Sequence, residues 1–166
     1  GKTLIQADDI EFYSIKASVG ENATSVGINY HTNSANSKLY LAKNKAMNDP
    51  VEYTPEQFVW GKDLTNSDPK TSFPDRYVCS VNITDLDLDC DYYYQIKAGS
   101  AQSKINHFKT PKTTKTTFGV FCDTQASGSN FQYSDQLAKT LTSINQDISF
   151  FMIAGDIVDR GGYEEQ

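Results

Sequence analysis

Between residues 23 and 32 the chain runs ATSVGINYHT, and its side chains alternate: Thr24, Val26, Ile28 and Tyr30 share one face, Ser25, Gly27, Asn29 and His31 the other. Successive side chains of a strand point to opposite sides, so this period predicts a half-buried strand. Short segments of the same kind follow at KLYLAKN (38–44), RYVCSVNIT (76–84), DYYYQIKAG (91–99) and INHFKT (105–110). Loops rich in Asn, Asp, Ser, Gly and Pro separate them, most visibly GKDLTNSDPKTSFPD at 61–75. Roughly seven short strands in about 110 residues predict an antiparallel two-sheet sandwich.

Near residue 112 the pattern changes. PKTTKTT (111–117) has linker composition, with no apolar side chain to bury. TFGVFCD (117–123) and DISFFMIAGD (147–156) are compact apolar runs, each of a length that suits a strand covered on both faces. Between them Leu137, Leu141 and Ile144 recur at four- and three-residue spacing beside Ala138, the signature of one helix face. Ser134 is placed to cap that helix, and Asp135 falls in its first turn, where a carboxylate suits the helix dipole. Strand, helix, strand makes a βαβ unit with parallel strands. The expected fold is therefore mostly β: a sandwich over 1–111, a linker at 112–117, and the start of an α/β domain over 118–166.

Composition narrows the range of partners. The chain has 166 residues and a net charge of −6, from 21 acidic against 15 basic residues, which disfavours nucleic acid or an anionic membrane as the main partner. Lys109, Lys112 and Lys115 cluster only in the Thr-rich linker. No apolar run approaches the roughly 18 residues of a membrane span. Cys79, Cys90 and Cys122 lack zinc spacing. Cys79 and Cys90 are placed either to pair in an exported chain or to remain free thiols. Asn-x-Thr sequons at Asn22 and Asn82 matter only in a eukaryotic secretory route, and for so short a pattern a chance match is the expectation.

Around the acidic turn, Leu86 stands six residues before Tyr92, which opens the strand YYYQIKAG. A Tyr there can return its hydroxyl to the turn backbone, and the arrangement resembles the tyrosine corner of fibronectin type III-like sandwiches. VNITDLDLDCDYYYQIKAG also resembles the corresponding stretch of the N-terminal domain of purple acid phosphatases. The alternating Asp85, Asp87 and Asp89 could instead open a calcium loop. Cys90, however, replaces that loop's Gly, and Ile96 its bidentate Glu, so a solvated turn of carboxylates is the better account.

The candidate chemistry lies in the second segment. Asp123 and Gln125 follow its first strand and Asp156 its second, so all three sit at the carboxyl ends of parallel strands, where open α/β sheets carry their sites. Neighbouring strands lie about 4.8 Å apart, close enough for their terminal carboxylates to share a metal pair. The glycine before Asp156 lets the backbone turn sharply and bring that carboxylate close.

FCDTQ and GDIVDRG together resemble the first two blocks of the calcineurin-like metallophosphoesterases, and the preceding sandwich gives the domain order of the purple acid phosphatases. The resemblance implies hydrolysis of a phosphate ester at a dinuclear centre of iron, manganese or zinc. By it, Asp123 is a ligand of the first metal, Asp156 bridges both, Asp159 supports the site from behind, and Arg160 faces the phosphate. Gln125 stands where the family has His; either its amide oxygen ligates, as a neutral and harder donor that moves preference toward manganese or magnesium, or it only hydrogen-bonds a metal-bound water. Ile157, Val158 and Asp159 occupy the region of the Tyr that colours the purple enzymes, so an iron–tyrosinate centre is not expected.

No His follows His107, and the further Asn and His ligands of the family are missing from the 166 residues. The chain is thus expected to be the N-terminal part of a longer hydrolase, to bind no metals of its own and to be inactive alone. Secretion or cell-surface placement is implied by the domain order. The competing expectation is a non-catalytic fibronectin-like binding module. His31 and His107, inside the sandwich, are expected to be structural or surface residues.

Overall fold

Burial along the strand at Val26–Thr32 follows the sequence period: Val26, Ile28, Tyr30 and Thr32 are buried, and the residues between them are partly open. The computed structural model describes residues 9–60, 76–123, 132–145 and 147–155. Its elements are β1 (Phe12–Val19), β2 (Val26–Thr32), β3 (Lys38–Ala42), β4 (Val51–Tyr53), β5 (Glu56–Trp60), β6 (Arg76–Ile83), β7 (Asp91–Ala98), β8 (Ala101–Gln102), β9 (Asn106–Lys109), β10 (Thr117–Phe121), α1 (Gln132–Ile144) and β11 (Ile148–Ile153). The chain divides into two compact units, the first holding β1 to β9 and the second β10, α1 and β11.

In the first unit β1-β2-β6-β5 form one antiparallel sheet. The other runs β4-β3-β7, and β8 and β9 share the far edge of β7, at Lys97–Ala98 and Asp91–Tyr94 respectively. Ile28, Tyr30, Cys79 and Val81 from one sheet and Leu39, Leu41, Tyr94 and Ile96 from the other make one core. The expected sandwich is present, and the chain is mostly β with antiparallel sheets.

Four strands, β1, β4, β5 and β8, have no counterpart in the sequence reading. The reason is physical. β4, β5 and β8 are short, and β1 and β5 are sheet edges whose residues stay largely open, so burial imposes little alternation on them. In β1 the pairing also slips between Tyr13 and Lys16, and Ser14 takes a φ of 49°.

The turn after β6 is held from several directions. The Tyr92 hydroxyl accepts the Asp87 amide at 2.9 Å, as the tyrosine corner requires. Thr110 Oγ1 donates to the Asp87 carbonyl at 2.6 Å and accepts the Cys90 amide at 3.0 Å. The Asp89 amide bonds the Pro111 carbonyl at 2.9 Å, and the Leu86 amide the Thr24 carbonyl at 2.9 Å. Asp85 and Asp89 adopt left-handed φ values of 59° and 51°, which short polar side chains tolerate.

On the outer face of the first sheet a buried cation sits among aromatic rings. Arg76, only 2% exposed, lies over Tyr13 at 5.1 Å and over Trp60 at 5.5 Å. His31 meets the same Trp60 edge-on at 5.5 Å.

In the second unit β10 and β11 pair in parallel, from Phe118 against Phe150 to Phe121 against Ile153. Leu141 of α1 approaches Gly119 on one face of this pair. The opposite face carries Phe118, Val120 and Met152 at 48%, 54% and 47% exposure, with Phe118 stacked on Phe150 at 5.1 Å. Among the described residues α1 covers only one face of the pair. The helix begins at Gln132, so Ser134 stands inside it rather than capping it, whereas Asp135 does lie in the first turn.

Candidate metal centre

Asp123 lies two residues beyond β10 and opens to solvent. Its φ of 52° is left-handed, as at Asp85 and Asp89, a conformation that a short polar side chain tolerates. The Ala154 amide donates to the Phe121 carbonyl at 2.8 Å, carrying the β10–β11 pairing past the last paired residues.

Gly155 then comes directly against the acid. A Cβ placed on it would stand 2.5 Å from Asp123 Oδ1, 2.7 Å from the Asp123 amide nitrogen and 2.9 Å from Cys122 Cβ. Real Cβ atoms do not approach so closely, so this contact exists only because residue 155 has no side chain. The sequence reading assigned the glycine a sharp turn. Its role in the fold is space: among the described residues Gly99 is the glycine with a left-handed φ, and at the strand ends Asp123 takes that conformation instead. Gly119 has a matching role that the sequence reading passed over. A Cβ there would fall 2.7 Å from the Phe151 ring, so the ring lies across β10 only over a glycine. A lone Gly inside the apolar run TFGVFCD was the available signal.

The βαβ unit thus brings the carboxyl end of β11 against the Asp123 carboxylate. Asp156 is the next residue in the chain, but Asp156, Gln125, Asp159 and Arg160 all lie outside the described residues.

The other carboxylate-rich segment has a different use. Asp87 is paired with Lys43, and Asp89 with Lys109 at 2.8 Å. The Lys109 ammonium holds the Asp89 carboxyl below its ordinary range, and Asp89 in turn raises Lys109. Thr84 Oγ1 donates to the Asp85 carboxylate at 3.0 Å. These acids are spent on separate cations and a local hydroxyl, not on one centre, and no group of three metal-capable side chains forms among the described residues. His107 Nε2 meets the Asp91 carboxylate at 2.7 Å and its ring packs on Tyr93 at 4.8 Å, a surface pairing across β7 and β9. Cys79, Cys90 and Cys122 are free thiols.

Residues 13–110 match the family described as purple acid phosphatase, N-terminal domain. Among solved structures the chain is similar to purple acid phosphatase PPD1 isolated from yellow lupin (Lupinus luteus) seeds, with a TM-score of 0.71 and 13% identity. That similarity covers 93% of this chain and 31% of the lupin chain, so the chain spans about a third of that protein's length. At this identity the likeness is one of fold. No curated protein matches the chain.

Proposed function

Because the chain belongs to the purple acid phosphatase N-terminal domain family, we propose that it supplies the sandwich and the first strand–helix–strand of a metal-dependent phosphoesterase. The observation that carries this reading is the fit of Gly155 against Asp123. A dinuclear metal site needs a carboxylate at that point and the next residue, Asp156, beside it.

In this reading Asp123 and Asp156 hold the metals, Gln125 adds a neutral oxygen, and Asp159 and Arg160 act around them, Arg160 on the phosphate. The dinuclear centre, when bound, polarises the ester and supplies an activated water at neutral pH. The chain's own part is positional. The β10–β11 pairing brings Gly155, the residue before Asp156, against the Asp123 carboxylate. A guanidinium at Arg160 matches two phosphate oxygens at once, which gives orientation as well as charge. The substrate class is a phosphate ester, in a secreted or surface-exposed protein.

The domain limits go with this reading: sandwich to residue 111, linker 112–117, phosphoesterase start from 118. No His follows His107 in the 166 residues, which alone are expected to bind manganese or zinc at most weakly, if at all, and to hydrolyse nothing.

The test is hydrolysis of p-nitrophenyl phosphate by the full open reading frame, loaded in turn with manganese, zinc and iron, with Asp123→Asn and Asp156→Asn beside it. Metal-dependent turnover, lost in both variants with folding retained, supports the reading. Absence of turnover with every metal favours the non-catalytic surface module instead.

A further inference from the structure

The two Asn-x-Thr sequons are 60 residues apart in sequence, yet the fold brings them to one end of the β1-β2-β6-β5 sheet. Val26 pairs with Ile83 and Gly27 with Asn82, while the Thr24 carbonyl accepts the Leu86 amide. Both asparagines are exposed. Asn is mostly an exposed residue, so openness alone is ordinary; the meeting of the two sequons at one end of one sheet is what the fold adds.

Their surroundings leave room. The Asn22 Oδ1 accepts both the Thr24 amide and the Thr24 hydroxyl at 2.9 Å, closing the sequon on itself. Both bonds fall on the oxygen, which leaves Nδ2, the atom that would carry a sugar, clear of them. Asn82 points from the outer face of the sheet beside Gly27, where even a Cβ would come within 3.7 Å of its Oδ1. Next along that face come Lys16, Asn29, Ser80 and Glu56, all polar, with Ser80 donating to Asn29 at 2.8 Å. The aromatic cover over Arg76 begins only at the other end. One end of the face is closed by rings around a cation, and the other is bare and hydrophilic.

We propose that Asn22 and Asn82 are both acceptors of N-linked glycans, carried side by side on the open polar end of this sheet. In the transfer, the Asn amide nitrogen attacks C1 of a lipid-linked oligosaccharide pyrophosphate. The C1–N bond forms, the C1–O bond to pyrophosphate breaks, the lipid pyrophosphate leaves, and the amide proton passes to a base of the transferase. The inference is independent of the phosphoesterase reading, because it uses no residue of the metal centre.

The test expresses the chain behind a cleavable signal peptide in a eukaryotic cell and digests cell and medium pools with peptide N-glycanase. Two glycans are expected on the parent chain, one on Asn22→Gln or Asn82→Gln, and none on the double variant. Thr24→Ala and Thr84→Ala should reproduce the respective losses, and Thr24→Ser and Thr84→Ser should retain the sugar. Transfer takes place on the entering chain, so the cell pool reports even a variant that fails to fold. A parent chain whose mobility the glycanase leaves unchanged overturns the proposal, as does a single variant that migrates with the parent. Digestion of the secreted chain without denaturant should remove both glycans; resistance at either site would contradict its placement on the open end.

Discussion

The Tyr92 hydroxyl and the Asp87 amide, 2.9 Å apart, tie the start of β7 back to the acidic segment before it. Tyr92→Phe keeps the buried ring and its stacking on Phe108 at 5.4 Å, and removes this acceptor together with the hydroxyl's contact to the Cys90 thiol. The expected loss is about 1 kcal/mol. In urea unfolding the midpoint should fall while the slope stays unchanged.

Thr110 holds the other side of the same residue, donating to the Asp87 carbonyl at 2.6 Å. Thr110→Val, at a buried position, is expected to cost about 1–3 kcal/mol, since the Cys90 amide also loses its partner. Because Tyr92 and Thr110 fix opposite ends of one peptide segment, their effects should not add. A double-mutant cycle is expected to give a coupling of about 0.5 kcal/mol or more, and strict additivity would show that the turn is not a unit.

Arg76 tests the aromatic end of the first sheet. Arg76→Lys keeps the charge but loses the flat guanidinium over Tyr13 and Trp60, so a loss of about 1 kcal/mol or more is expected in spite of the conserved charge. Trp60 is the single tryptophan of the chain, and its emission should shift with the substitution, which places the effect at this cluster.

Gly155→Ala would put a Cβ 2.5 Å from Asp123 Oδ1 and must displace one of the two strand ends. In the full-length phosphoesterase proposed above, a shift of about 1 Å at a ligand is expected to lower kcat on the order of 100-fold. The sandwich should melt as before. Retained turnover would mean that the contact does not set the position of the acid.

Alkali gives a further readout. Burial raises the Tyr30, Tyr94 and Tyr92 hydroxyls above their ordinary value, with desolvation the leading cause in each. The unfolded chain then ionises first, at about pH 10. The stability linked to these phenols is full below that pH and is lost as the pH rises through their folded-state values. Absorbance at the phenolate band should rise in two stages, the second coinciding with loss of native circular dichroism. A single stage complete before unfolding would contradict the burial.

Legibility in the sequence followed burial. β2, β6 and β7 are central strands whose inner faces enter the core, and each was readable from Val, Ile and Tyr at period two. β1 and β5 were not, since an edge strand with open side chains is under no such constraint. The tyrosine corner was legible because Leu86, the Asp-rich turn and Tyr92 stand at fixed offsets, and the hydroxyl does reach the turn. Of the candidate metal ligands only Asp123 can be placed, together with the Gly155 contact that the order Gly-Asp hinted at. Ser134 failed as a cap because a Ser ahead of an apolar period signals a helix start only to within a turn.

Cys79 sits fully buried in the sandwich core, 3.9 Å from the Ser37 hydroxyl, and burial pushes its thiol above the ordinary range. Cys90 is partly open and Cys122 is exposed. The chain therefore carries a graded set of chemical clocks: a thiol reagent reaches Cys122 and Cys90 in the native state, but meets Cys79 only when the two sheets part. The slowest labelling rate then counts openings of the sandwich under fully native conditions.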